Sequence, residues 1–460
     1  MRTVILNAEI INEGERFIGS LILEGEEIIQ IIRQEEYKPA PGERIVNATG
    51  MILVPGAIDD HVHMRDPGLT HKGDMVTETA AAAAGGVTTV FDMPNVVPQT
   101  TSLDLLKERY AMAQNRCSVN YAFFLGATRD NLNDIVNVDI TSIPGIKLFM
   151  GSSTGNMLVD EETALDAIFA QTPTLLMTHC EDTDRINHNM QKAVEECGCD
   201  DPDVTMHPQI RDAEACLMST QLAVKLALKH GTQLHVAHLS TQSEVELLKN
   251  TANPNITAEA CVAHLIYTDQ DYARLGTRIK CNPAIKTIAD RNALREAILD
   301  GTITVVGTDH APHLLSEKEG GSKKAVSGMP MVQFSLSGML QLCDEGVLTP
   351  EIVIQLMCHN PARLFCVDKR GFLRPGYKAD FVLLRHDEPM ILNSSQILSR
   401  CGWNLVKVIL SIGKFARPGL TASLYGTDRP LRAEMPDSQY GLTENAIIEK
   451  INQNHTSVSL

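Results

Sequence analysis

No uninterrupted apolar run in the sequence is long enough to span a bilayer, and its start, MRTVILNAEIINEGERF, lacks a secretory signal pattern. A cytoplasmic protein is therefore expected. CxxC pairs are also missing. The 11 cysteines are odd in number and scattered, which argues against a disulfide framework and predicts reduced thiols. Cys197 and Cys199, the one close pair, read as part of a surface loop, because a closed zinc site needs further ligands at zinc-finger spacing. There is no basic excess either. A net charge of −17 argues against a nucleic-acid surface. An anionic substrate would have to be drawn in by a local cluster of metal and arginine. Short repeats and low-complexity tracts are absent as well.

What remains is an ordinary globular composition, 43 % hydrophobic and 21 % charged, over 460 residues, long enough for one large domain plus something smaller. Residues 1–54 read as short strands with turns between them, and 371–425 read the same way (GFLRPGYKADFVLL, then WNLVKVILSIGKFA). Two β-rich ends around a different middle predict one small β-sandwich module built from both termini, over 1–54 and 365–430, with 431–460 as a C-terminal extension. Between them, over 55–364, apolar β-branched segments alternate with helical patterns. The strand candidates are 51–58, 87–93, 119–127, 145–150, 174–179, 233–239, 255–261 and 303–310. DMVTETAAAAAGG has the glycine stop of a helix, and Thr241 with Glu244 forms a capping-box pattern. The expected fold is α/β, a (β/α)8 TIM barrel.

The polar residues then fall into place. DDHVHMRDPG (59–68) closes an apolar run with His61 and His63 one residue apart. Residues i and i+2 of a strand share a face, so both imidazoles aim at one point and Arg65 continues in that direction. Asn95 follows strand 2, Lys147 lies in strand 4, His179 ends strand 5, His238 ends strand 6, and Asp309 and His313 follow strand 8. Barrel enzymes keep their active sites at these strand ends. Taken singly, a histidine in an apolar run is more often a core imidazole satisfied by hydrogen bonds than a ligand. His235 and His238 are three apart and face opposite ways on a strand, so His238 is assigned to the interior and His235 to a structural role. Together, four histidines and Asp309 are costly to bury without a cation, and they are too many for one tetrahedral ion. Two ions need a bridging anion. Lys147, carboxylated by CO2, is the candidate at strand 4, and a lysine snorkelling to solvent is the alternative. For Arg65 the alternative to substrate binding is a rim salt bridge with Asp66.

Six ordered stretches, VPGAIDDHVHMRDPG, AAAAAGGVTTVFDMPN, GIKLFMG, HVAHLST, CNPAIK and GTDHAPH, resemble the dihydroorotase family of the amidohydrolase superfamily, over about residues 50 to 370. The resemblance implies two zinc ions, one held by His61, His63 and Asp309, the other by His179 and His238, with carboxylated Lys147 bridging them. It implies substrate binding by Arg65, Asn95, Asn282 and His313, and proton transfer by Asp309. The implied reaction is reversible hydrolysis of L-dihydroorotate to N-carbamoyl-L-aspartate, in pyrimidine biosynthesis. A homodimer and association with aspartate transcarbamoylase are further implications. One departure stands out: Pro283-Ala284-Ile285-Lys286 replaces the family's usual Pro-Pro-Leu-Arg. The alternatives are a hydrolase of allantoinase or hydantoinase type, and an inactive partner subunit. The polar segment 313–331, beginning at His313, is a lid candidate.

Overall fold

The structure is a computed structural model that describes residues 2–33, 37–151, 157–385, 394–405 and, for its backbone, 418–423. Five strands come first: β1 (Arg2–Asn12), β2 (Glu15–Glu24), β3 (Glu27–Arg33), β4 (Arg44–Asn47) and β5 (Met51–Pro55). A central series follows: β6 (Ala57–Val62), β7 (Val87–Asp92), β8 (Asn120–Phe123), β9 (Leu125–Gly126), β10 (Ile146–Phe149), β11 (Leu176–His179), β12 (Leu234–Val236), β13 (Ile256–Cys261) and β14 (Val305–Gly307). Strands β15 (Asp380–Arg385) and β16 (Pro418–Ser423) close the order.

The first and last groups share a sheet, running β16-β15-β5-β1-β2-β3, with β4 paired to β1. Both termini thus build the β module, as one continuous sheet. Strand β1 serves two neighbours: its first half pairs with β4 and its second half with β5, on either side of an irregularity at Asn7 (φ 57°). Ile5, Ile10, Leu21, Leu53 and Phe381 fill the module's core. Most of WNLVKVILSIGKFA and all of 431–460 lie outside the described residues.

The central strands are parallel and continuous from β6 to β8 and from β9 to β14. β8 and β9 are one predicted strand, interrupted at Phe124, whose N–H donates to Asp92 O. The ring closes between its first and last members. Val62 bridges His310 in parallel, His63 N–H donates to His310 O at 2.7 Å, and Thr308 N–H and Oγ1 donate to the Asp59 carboxylate at 3.1 and 2.6 Å. The expected barrel is there. Its interior holds Ile58, Phe91, Phe124 and Met177, each contributing about 1.5–3 kcal/mol by burial.

Helices cover the outside, and local chemistry starts them. Asp74 caps Met75–Ala84 by accepting from Thr77 N–H at 2.7 Å, and the predicted Thr241 cap accepts from Glu244 N–H at 3.2 Å, each worth about 1 kcal/mol. One segment differs from expectation. MILVPGAI, read as a single strand, is split at Gly56 between β5 in the module and β6 in the barrel. A Cβ at Gly56 would lie 2.0 Å from Thr88 Oγ1, so only glycine lets the chain cross between the sheets there. The expectation of reduced thiols holds for nine cysteines and fails at one pair: Cys197 and Cys199 form a disulfide, because a single intervening residue, Gly198 in a left-handed turn, brings their Cα atoms to 5.3 Å. Among the described residues no helix is long and apolar enough to cross a membrane.

Candidate metal centre and active site

At the C-terminal mouth of the barrel the strands run out, and the backbone turns sharply. Arg65, His238 and Asp309 all have positive φ (66°, 39° and 48°), which for residues other than glycine persists only where the surroundings hold it. His61, His63, His179, His238, Asn282 and Asp309 line a pocket of about 360 Å³, its open mouth included, with Ser327 and Gly328 on the far wall.

Within it, His61, His63 and Asp309 present ligand atoms within 4.8 Å of one another. His63 Nε2 and His61 Nε2 lie 3.0 and 3.5 Å from Asp309 Oδ1. His179 Nδ1 faces His238 Nε2 at 2.9 Å, and the rings of His61 and His238 are 5.3 Å apart. The predicted ligands therefore form two adjacent groups. Their outer nitrogens are anchored: His61 Nδ1–H donates to Glu259 Oε2 (3.0 Å), His63 Nδ1–H to Asn95 Oδ1 (2.8 Å), and His179 Nε2–H to Glu181 Oε2 (3.1 Å). Those bonds leave lone pairs on His61 Nε2, His63 Nε2 and His179 Nδ1, all facing the pocket. Lone pairs aimed at a carboxylate and at one another make a donor set that fits cations.

Electrostatics agree. Burial pushes His63 down to about 4 and lowers His179 and His238, which keeps these three imidazoles neutral and able to ligate; at His61 burial also opposes the charge, but the carboxylates of Glu259 and Asp309 outweigh it and raise the group. Burial opposes ionisation of Asp309, yet His61 and His63 beside it hold its carboxyl well below the usual range. Lys147 is fully buried, and its Nζ finds no hydrogen-bond partner among the described residues. Burial depresses its ammonium, which favours the neutral amine that carboxylation needs. It does not snorkel.

Arg65, Asn95 and His313 are buried outside the pocket lining. Arg65 does not continue a strand, since β6 ends at Val62. Its left-handed turn instead carries the guanidinium to Pro312 O (3.2 Å) and His313 Nε2 (2.9 Å). Asp66 pairs with Arg116, so the rim salt bridge with Arg65 is not formed. His313 also meets Lys72 Nζ at 3.1 Å; burial, Arg65 and Lys72 keep it neutral. Asn282 Oδ1 is buried on the pocket wall without a partner among the described residues. Lys286 donates to Ala284 O (3.0 Å) and adds positive charge beside Glu181.

Besides the direction of Arg65, sequence reasoning misread two features and missed two residues. His235 lies inside the barrel, 3.5 Å from Asp60, because β12 stops at Val236 and alternation no longer separates it from His238. Segment 313–331 is tied down: Lys318 Nζ donates to Lys280 O, Val326 O and Gly328 O, and Asp201 accepts from the amides of Gly321, Lys323 and Lys324. Glu259 and Glu181 were missed. An acidic residue inside the apolar strand NITAEAC, and another two places after His179, were the available signals.

A closed parallel barrel with a histidine and aspartate cluster at its mouth, flanked by a β module from both termini, defines the architecture, and the Amidohydrolase family matches residues 52–411. The chain belongs to that family. It is 32 % identical to the dihydroorotase of Lactobacillus gasseri, over 83 % of this chain and 89 % of that one. The dihydroorotase of Methanosarcina mazei is 29 % identical over 87 % and 89 %. Among solved structures, the L-hydantoinase (dihydropyrimidinase) of Arthrobacter aurescens superimposes with a TM-score of 0.82 at 26 % identity, covering 87 % of this chain and 91 % of its own.

Proposed function

We propose that the protein is a dihydroorotase that hydrolyses L-dihydroorotate reversibly to N-carbamoyl-L-aspartate with two zinc ions. The observation that carries the choice of substrate is Arg65, a buried guanidinium fixed by Pro312 O and His313 beside the ligand cluster. Burial lowers it only to about 10, so it is a cation at neutral pH, suited to a carboxylate. The dihydroorotase relatives support the same reading.

In this reading His61, His63 and Asp309 would hold one ion and His179 and His238 the other, and carboxylated Lys147 would add an anionic ligand to the pair. When bound, the ions supply a water of lowered pKa and polarise the ring carbonyl. Arg65 and His313 hold the substrate carboxylate, and Asn282 Oδ1 accepts from a ring N–H. As the water oxygen bonds to the carbonyl carbon, Asp309 takes its proton. The ring C–N bond breaks, and Asp309 delivers that proton to the departing nitrogen.

A second reading is favoured by the L-hydantoinase likeness: hydrolysis of a neutral ring. Initial rates of the zinc-loaded protein on L-dihydroorotate, hydantoin and dihydrouracil separate the two. Turnover confined to L-dihydroorotate is expected. Turnover of the neutral rings without it would overturn the assignment and leave the fold and ligand cluster standing.

A further inference from the structure

Strand β13 carries an acidic residue into the barrel that the reaction above does not use. Glu259 is fully buried. Its Oε2 accepts from His61 Nδ1–H at 3.0 Å and from the backbone N–H of His238 at 3.3 Å, while its own carbonyl accepts from Leu239 N–H at 2.8 Å. A single residue thus grips a side chain beyond the middle of β6 and two successive amides beyond the end of β12. His238 needs such a grip, because its φ of 39° lies outside the range that L residues adopt without support. Gly307 makes the room: a Cβ there would stand 2.5 Å from Glu259 Oε1. Cys261 Sγ–H donates to that same oxygen at 3.3 Å, so both carboxylate oxygens are occupied.

We propose that Glu259 is the positioning residue that couples the two halves of the metal centre. It keeps the His61 Nε2 lone pair on the pocket side and fixes the backbone from which His238 presents its ring. The inference rests on the metal-binding reading above. An ionised carboxylate only accepts hydrogen bonds, so it enforces one tautomer of His61 while taking a second donor on the same oxygen. Glutamine keeps an accepting oxygen without the charge, and leucine keeps neither.

Zinc affinity of the full chain, measured by competition with a chromophoric chelator after metal removal, tests this without recourse to turnover. Wild type should bind two ions. Glu259→Gln should bind them about 10-fold more weakly and Glu259→Leu about 100-fold, the range typical for residues behind metal-bound histidines. The visible spectrum of the cobalt-substituted protein should shift in both variants while far-UV circular dichroism stays unchanged. If Glu259→Leu does not fold, the near-isosteric Glu259→Gln decides. Variants that match wild type in zinc affinity and cobalt spectrum would overturn the positioning role and leave the metal reading intact. Wild type that takes up no zinc would overturn both.

Discussion

Replacing Arg65 by methionine removes a guanidinium but keeps much of its aliphatic stem. In the free protein the substitution leaves Pro312 O and His313 Nε2 without their donor, in a region where Arg65 is 3 % and His313 1 % exposed. In the complex it also leaves a substrate carboxylate unpaired. A hydrogen bond to a charged group contributes about 1.5–3 kcal/mol, so losing a two-pronged grip costs roughly 3–6 kcal/mol, or about 10²- to 10⁴-fold in kcat/KM. Lysine in its place keeps the charge but not the fork, and most of the loss should persist. Steady-state rates on L-dihydroorotate and on hydantoin, for wild type and both variants, give the comparison. The fall should appear on the carboxylated ring and be within about tenfold of nothing on any neutral ring that is turned over. An equal fall on both rings would mean that Arg65 only supports the loop, and no fall would remove it from the site.

Other outcomes follow from buried groups elsewhere. His359 accepts from Glu13 N–H and donates to Gly371 O, and burial pushes it down to about 4. Against an unfolded value of about 6.5, the unfolded chain takes up this proton first, so stability is lost as pH falls from 6.5 towards 4; between pH 7.5 and 4.5 the loss is on the order of 2–3 kcal/mol. Urea denaturation at both pH values should show His359→Gln with a shallower pH dependence than wild type by about that amount, and parallel curves would refute it. Lys147→Met should stabilise the metal-free protein by about 1–3 kcal/mol, since Lys147 Nζ is buried without a partner among the described residues, while abolishing tight binding of a metal pair. A less stable metal-free variant in the same denaturation assay would contradict this. Lys318→Met deprives three carbonyls of their donor and should expose 313–331 to limited proteolysis and raise KM, because Ser327 and Gly328 wall the pocket. An unchanged digestion pattern would show that the segment's other bonds, those to Asp201, Pro202 O and Asp203 O among them, suffice to hold it.

The sequence was most informative where strands are regular. Alternating apolar segments announced the barrel, and His61, His63, His179, His238 and Asp309 were legible as a group because each stands at or just past a strand end. Strand alternation lapsed as a guide at the last strand residue. Arg65 and His238 leave their strands with positive φ, so the direction of Arg65 and the interior position of His235 were both misread. Gly56 breaks a continuous apolar run because of Thr88, a neighbour on another strand that local pattern does not reveal. Glu259 acts through His61, far away in sequence, and an isolated acid in a strand does not name its partner; Glu181 stands only two places after His179, just past the strand, where spacing alone does not reveal the contact. The Cys197–Cys199 bond was missed because the argument for reduced thiols rested on the odd number and scatter of the cysteines, whereas the pair's proximity is a matter of the turn at Gly198.

Zinc titration of the chelated protein, with L-dihydroorotate hydrolysis followed at each addition, goes most directly to the binuclear claim. Activity should be absent without metal, rise only as zinc approaches two ions per chain, and level off there. Full activity in the chelated protein, or a plateau at one ion, would contradict a paired centre built from His61, His63 and Asp309 on one side and His179 and His238 on the other.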